Sequence, residues 1–423
     1  MKAFALRWLS GDERTLGAFL ALGVMTMAFF RLPTLRDGLG VPAPESALVM
    51  VLVAVAVVWW TMLPRGFVWL DPADLTWRDF GGVDRVALIS GRLAGGWLLR
   101  QLALGYVLAL LAAVIVAPAE WTVAGAAVLF AGGAVALGAL RGPRRALWPE
   151  ALAVLALAAF AVAVRPGPVV SYVLAAVLVA GAVPLLARPA LANVGRTALV
   201  DGWHDRVLRV SGVQFLDLAL LLPAARPVRP RGLGPPTGLR LAWLGTLGRA
   251  RHLPTAALLA FVAVAAHLAF PRLSEFVVFP LLGYLAVIPL TAGLGELWRS
   301  PGRRRWVGRS DTALRLDHLL VATALAAAWA TPVFLAGPGW SPTVLLTVPV
   351  IASCAIRTMT RRPPTYDNLI PVDTPIGALP MRLVFQTLRG PDVGVLAVLL
   401  LPALPLWGAL LVIAAVVALA LFR

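Results

Sequence analysis

Four carboxylates, Asp71, Asp74, Asp79 and Asp84, crowd one short stretch of this sequence. Oxygen ligands at that density can hold a divalent cation, and a cation at a membrane surface could serve a lipid-phosphate transferase. Arg78 and Arg85 stand among them, however, and the spacing matches no metal-binding signature, so a solvated or partner-facing loop is the expectation. His204 beside Asp205 has no accompanying nucleophile, which leaves a catalytic triad unsupported. The single cysteine, Cys354, lies in an apolar run; it excludes an intramolecular disulfide and a cysteine-cluster metal site, and reads as a buried thiol. The one lysine, Lys2, sits in no glycine-rich loop, so the chain cannot carry a conventional phosphate-binding P-loop. No catalytic, cofactor-binding or metal-ligating residue is assigned, and an enzyme is not expected.

The elements that must position these groups are set by composition. Of 423 residues, 60% are hydrophobic and 13% charged, against roughly 45–50% apolar and about 25% charged in soluble domains. The apolar residues come in runs of the length needed to cross a hydrocarbon core of about 30 Å. A spanning segment must satisfy its own backbone hydrogen bonds, and the runs lack the alternation of a membrane barrel, so helices are forced. The expected fold is all-α, a polytopic integral membrane helix bundle. Its spans are Thr15–Phe30, Ser46–Leu63, Leu98–Ala117, Trp121–Leu140, Ala146–Val164, Pro168–Leu186, Pro254–Phe270, Phe276–Leu294, Asp317–Leu335 and Pro342–Ile356. The last run, Val393–Phe422, carries Pro402 and Pro405 in its middle. Read as a tight hairpin it brings the total to about twelve spans; read as one kinked helix, to eleven.

The net charge of +17 is spread over one lysine and 36 arginines. Cytoplasmic loops retain positive charge, and with the N-terminus inside only Arg31, Arg36, Arg165 and Arg272 fall outside. A multi-pass protein of a bacterial plasma membrane with a cytoplasmic N-terminus is therefore expected, and the charge calls for no nucleic acid. The inside segments are Arg65–Trp97, Arg141–Arg145, Ala187–Leu253, Gly295–Leu316 and Arg357–Asp392. In the longest, Leu199, Val200, Trp203, Val207 and Val210 recur at helical spacing opposite Asp201, Asp205, Arg206 and Arg209, a pattern suited to the membrane surface. A Pro/Arg/Gly stretch, Pro223–Pro236, reads as a linker. The chain thus divides into a first membrane half (1–186), an amphipathic helix with linker (187–253) and a second membrane half (254–423).

Ionisable groups at membrane depth are few. Arg100, Glu150, Glu296 and Asp317 lie near span ends, where snorkelling to the interface is expected, and His267 near an outer end reads as structural. No proton or sodium path is apparent. The two halves look alike: Leu6-Arg7-Trp8-Leu9-Ser10-Gly11 precedes the first span and Leu241-Ala242-Trp243-Leu244-Gly245-Thr246 the seventh. Between the second and third spans of each half stand Trp77–Leu88, with Asp84, and Trp306–Leu316, with Asp311. Equivalent placement argues for a two-fold repeat of six helices.

On these features the chain resembles the membrane subunits of ABC exporters of the ABC-2 type and, more closely, an actinobacterial family of multi-pass proteins of uncharacterised function associated with ABC ATPases. The likeness rests on Leu70-Asp71-Pro72-Ala73-Asp74-Leu75-Thr76-Trp77 with Val83-Asp84-Arg85, on Ser300-Pro301-Gly302-Arg303-Arg304-Arg305-Trp306, and on Arg362–Pro364 through Asp373–Pro380 to Arg389–Asp392. The resemblance implies a permease-like subunit that exports a lipid or hydrophobic small molecule. Its coupling loops, with Asp71, Asp74, Trp77, Arg78, Asp84, Arg85, Arg303, Arg304, Trp306 and Asp311, would contact two copies of a cytoplasmic ATPase. ATP and magnesium would sit on that partner, with none on this chain, and membrane lipids would surround it. A non-transporting scaffold for a cytoplasmic complex is the chief alternative, and a metal-dependent lipid-modifying enzyme a third.

Overall fold

The computed structural model describes residues 23, 25–40, 44–62, 69–81, 85–115, 117–141, 147–186, 195–214, 238–337, 339–362, 372–374, 377–379, 385–386 and 388–422. The chain is an all-α bundle of apolar helices, as its composition requires. Among the described residues six stretches are long and apolar enough to cross a membrane: Ile89–Val114, Ala119–Gly138, Ala250–Ala269, Glu275–Arg299, Asp311–Ala336 and Pro342–Met359. Five shorter apolar helices accompany them.

In chain order the first half contains α1 (Leu32–Leu39), α2 (Pro44–Met62), α3 (Pro72–Phe80), α4 (Arg85–Ile115), α5 (Ala119–Arg141), α6 (Leu147–Val164) and α7 (Pro168–Leu186). Of the expected first span only residues 23 and 25–30 are described, and they are helical; Tyr106 of α4 donates its hydroxyl to Met25 O at 2.8 Å. Then come α8 (Arg196–Gln214) and α9 (Leu239–Leu247). The second half contains α10 (Leu253–Ala269), α11 (Glu275–Arg299), α12 (Pro301–Trp306), α13 (Asp311–Ala336), α14 (Val348–Met359), α15 (Pro391–Leu400) and α16 (Leu406–Phe422). One antiparallel pair of three-residue strands, β1 (Val372–Thr374) and β2 (Gly377–Leu379), interrupts the helices. The linker Pro223–Pro236 and the stretch Leu6–Gly11 lie outside the described residues.

Helix α4 begins well before the expected span at Leu98. Between Asp84 and Trp97 no proline breaks the chain, and Ile89 and Leu93, four residues apart, bury their side chains in the main core. The burial of one face holds Gly91, Gly95 and Gly96 in the helix despite their poor propensity. At its far end, where the last carbonyls have no helical partner, Arg36 of α1 donates to Ala113 O and Val114 O.

Five helix pairings of the first half have counterparts in the second, which adds pairings of α15 with α14 and α16 and of α13 with α16. In the first, α2 packs on α4, α5 and α6, α4 packs on α5, and α5 on α7. In the second, α11 packs on α13, α14 and α15, α13 packs on α14, and α14 on α16. The halves join through α10, which packs against α2 and α6, with Trp60 Nε1 donating to Thr255 Oγ1 at 3.0 Å.

The last run is two helices that turn back on each other. A 3-10 turn, Leu401–Ala403, separates α15 from α16, and two arginines fix both free ends of this hairpin to one end of the bundle. Arg357, at the end of α14, donates to Leu419 O at 3.2 Å and pairs with Asp392 at 3.4 Å. Arg315 of α13 donates to Leu421 O at 3.0 Å. The orphan carbonyls of α16 thus meet cations that also suit the negative end of its dipole. Against α14 the hairpin packs closely: a Cβ on Gly394 would lie 2.8 Å from Cys354 Sγ, and Cys354 is buried.

That packing makes Cys354 a reporter of the hairpin. In the native chain it should label with a maleimide far more slowly than after denaturation. Gly394→Val overpacks the contact by about 1–3 kcal/mol, so the labelling rate should rise about tenfold or more, measured by mass spectrometry. Equal rates in both proteins would rule out the packing.

Candidate partner-binding surface

The loop Trp69–Asp71 and α3 are held by a stack of aromatic rings and guanidinium groups. Arg92 of α4 lies 4.0 Å over the Trp69 ring and Arg206 of α8 lies 4.4 Å from it. Trp203 of α8 packs on the same indole at 5.0 Å. Arg92 also donates to Trp69 O. Next to the stack, Leu70 N–H donates to Leu199 O at 3.3 Å and Arg196 donates to Thr76 Oγ1 at 2.8 Å. Asp71 caps α3, accepting from Ala73 N–H at 2.9 Å, an N-terminal role open to any short carboxylate. Leu70 and Leu75 are fully buried beneath.

This arrangement changes the reading of α8. Its Leu199 and Trp203 face the protein, while Val207 and Val210 remain exposed. The apolar stripe is thus shared between the α3 loop and the surroundings. On α3 the outward face carries Asp74, Trp77 and Phe80; Trp77 is 78% exposed and Phe80 84%. Arg78 and Arg85 occupy helical positions, but their side chains, like all of Asp84, lie outside the described residues.

The second half repeats the device with different partners. Trp298, at the end of α11, lies between Arg304 at 4.5 Å and Arg315 at 4.6 Å. Arg304 also pairs with Asp311 at 3.3 Å, which joins α12 to the start of α13. Ser310 caps α13, its Oγ accepting from Ala313 N–H at 3.2 Å. Arg303 and Arg305 point outward, and Trp306 is 92% exposed. Trp69 and Trp77 stand eight residues apart, as do Trp298 and Trp306, and both pairs share an offset of 229 residues. The sequence reading paired Trp77 with Trp306 and missed the clamped tryptophans, although their spacing was present to be found. The two surfaces differ in charge: aspartates flank Trp77, arginines precede Trp306.

Other groups that could bind or react are occupied. Asp317, expected to snorkel, is instead buried and ion-paired, and Glu296 is ion-paired while its side chain stays partly exposed. The fully buried Arg249 contacts Glu296 and donates to Gly245 O, and Arg309 lies 3.1 Å from the buried Asp317. At Asp317 pairing wins because a buried carboxylate without a counter-charge is costly; in the other pair the buried charge is that of Arg249. Gly238 seats the start of α9 on the second pair: at φ 57° it adopts a conformation that suits glycine, and a Cβ there would lie 3.3 Å from Arg309 Nη1. Arg100 donates to Gly96 O at 2.9 Å and Thr61 Oγ1 at 3.3 Å. His267 stacks on Trp340 at 4.0 Å. Among the described residues, no three His, Cys, Asp or Glu side chains gather as a metal site.

The class defined so far is that of a helical membrane-spanning protein with an aromatic, charged surface at its arginine-rich end. Comparison with protein-family models, curated proteins and solved structures returns no match.

Two cation–π contacts of about 0.5–2 kcal/mol each hold Trp69. Trp69→Ala should therefore raise amide exchange in α3 and α8 by about tenfold or more while leaving α2 and α5 protected, read by hydrogen–deuterium exchange in nanodiscs. Unchanged exchange in α3 would show that the stack does not hold it.

Proposed function

We propose that this protein is the membrane, permease-like subunit of an ABC exporter of the ABC-2 type, moving a lipid or hydrophobic small molecule with energy from a separate ATPase. One observation carries the reading. Each half sets a short helix between its second and third spans, bolts it down through a tryptophan held by two arginines and leaves a second tryptophan exposed. A rigid mount with an exposed aromatic tip is suited to receiving force from a partner, since aromatic residues anchor interfaces and flanking charges select the partner.

The matched helix pairings support two six-helix repeats, and the hairpin of α15 and α16, with both ends held at the arginine-rich end, supports twelve spans over eleven. With the N-terminus cytoplasmic, α3 and α12 face the cytoplasm of a bacterial plasma membrane, as an ATPase partner requires. Asp71, Asp74, Trp77, Arg78, Asp84 and Arg85 form the first docking surface; Arg303, Arg304, Trp306 and Asp311 form the second. One chain offers one surface to each of two ATPases, which hold the ATP and magnesium. The pairing of Glu296 and Asp317 with arginines favours a partner's ATP over an ion gradient as the energy source. The same surfaces would serve a non-transporting anchor.

The test is purification from native membranes in lipid nanodiscs, with identification of bound proteins and assay of ATP hydrolysis. An ATPase should co-purify at two copies per chain. The double charge reversal Asp84→Arg with Arg85→Asp should lower hydrolysis by about tenfold or more without altering the thermal melt. A partner that binds no nucleotide would transfer the reading to the anchor.

A further inference from the structure

The exposed faces of α3 and α12 share an outline and differ in chemistry. An offset of 229 residues lays Trp77 on Trp306 and, three residues earlier on the same side of each helix, Asp74 on Arg303. On α3 the exposed Trp77 is followed one turn later by Phe80, also exposed. Asp74 stands one turn before Arg78, so that pair carries no net charge. On α12 the position matching Phe80 is Arg309, which is bound to Asp317, and Trp306 follows Arg303 and Arg305, both exposed. Four carboxylates of this half are taken by other arginines: Glu296 by Arg249, Asp311 by Arg304, Asp317 by Arg309 and Asp392 by Arg357. None of these pairs uses Arg303 or Arg305, so α12 presents a tryptophan edged with cations.

Resting on the reading of these faces as ATPase docking surfaces, we infer that the ATPase cleft is an apolar pocket with an acidic rim and that its two copies are held by different forces. The pocket takes Trp77 and Trp306 alike, because one partner present in two copies brings the same cleft to both. Aspartate or glutamate of the rim meets Arg303 and Arg305 on α12. On α3 the rim finds no net charge, and the hold comes from burying Trp77 and Phe80. Contacts between charges at an exposed rim are screened by salt, with a Debye length of about 10 Å at 0.1 M and about 3 Å at 1 M, whereas burial of aromatic surface is not. Salt should therefore strip the ATPase from α12 and leave it on α3.

The experiment uses the full complex in nanodiscs with a photoreactive side chain at position 73 of α3 or position 302 of α12. Ala73 is exposed, and a Cβ on Gly302 would meet nothing within 4 Å. Quantitative mass spectrometry of the washed complex counts ATPase copies as sodium chloride rises from about 0.1 M to about 1 M. Two copies per chain should fall to one. The crosslink from position 302 should drop about tenfold or more, and that from position 73 should change by less than about twofold. Arg303→Glu with Arg305→Glu should release one copy already at low salt, and Trp77→Ala with Phe80→Ala the other. Loss of both copies together, loss from α3 first, or two copies retained by the double arginine variant would overturn the inference and leave the transport reading intact. A group at position 302 that labels lipid in place of protein would assign α12 to the membrane surface and overturn it too. Recovery of no ATPase at low salt would defeat the transport reading itself, and this inference with it.

Discussion

A helix in hydrocarbon satisfies its backbone internally except at its ends, and the carbonyls left over at a C-terminus are costly to strand away from water. This protein answers that constraint with arginine. Arg36 takes the final carbonyls of α4 at one end of the bundle, and Arg315 and Arg357 take those of α16 at the other. Guanidinium suits the task because it carries five donors in a fixed fork and stays charged when partly buried. These contacts do more than stop helices. They tie α1 to α4 and the final hairpin to α13 and α14, so the order of the bundle rests on where its helix ends are received.

The same residue type builds the surfaces around α3 and α12. Trp69 and Trp298 each have two guanidinium groups within 5 Å of the ring centre, and in both cases the arginines come from different elements than the ring. An indole face attracts cations, so one half-buried ring can bring together segments that would otherwise repel. The clamped ring gives each short helix a fixed base, and the second tryptophan, about two turns onward, is left uncovered.

Much of the bundle was legible in the sequence because hydrocarbon allows so few solutions: long apolar runs bounded by arginine can only be helices. Pro402 and Pro405 marked the break in the last run but left a hairpin and one kinked helix both open. Pro375 and Gly377, beside the paired strands, are a turn signal in the sequence that the reading passed over. The early start of α4 was not legible, since Gly91, Gly95 and Gly96 argue against helix and only the burial of Ile89 and Leu93 overrides them. Nor were the ion pairs of Glu296 and Asp317, because a carboxylate near a span end looks the same whether it reaches water or an arginine. The clamped tryptophans lay between. Their spacing is in the sequence, but the guanidinium groups that hold them come from Arg206 and Arg315, which no local pattern connects to the rings.

Helix α4 runs unbroken for 31 residues, about 46 Å at 1.5 Å per residue. Near its start Arg92 is fastened to Trp69, and at its last turn Arg36 holds Ala113 and Val114. It is therefore a stiff lever with a fitting at each tip. A displacement imposed on the Trp69 loop would be carried along one continuous helix toward α1 at the other end of the bundle.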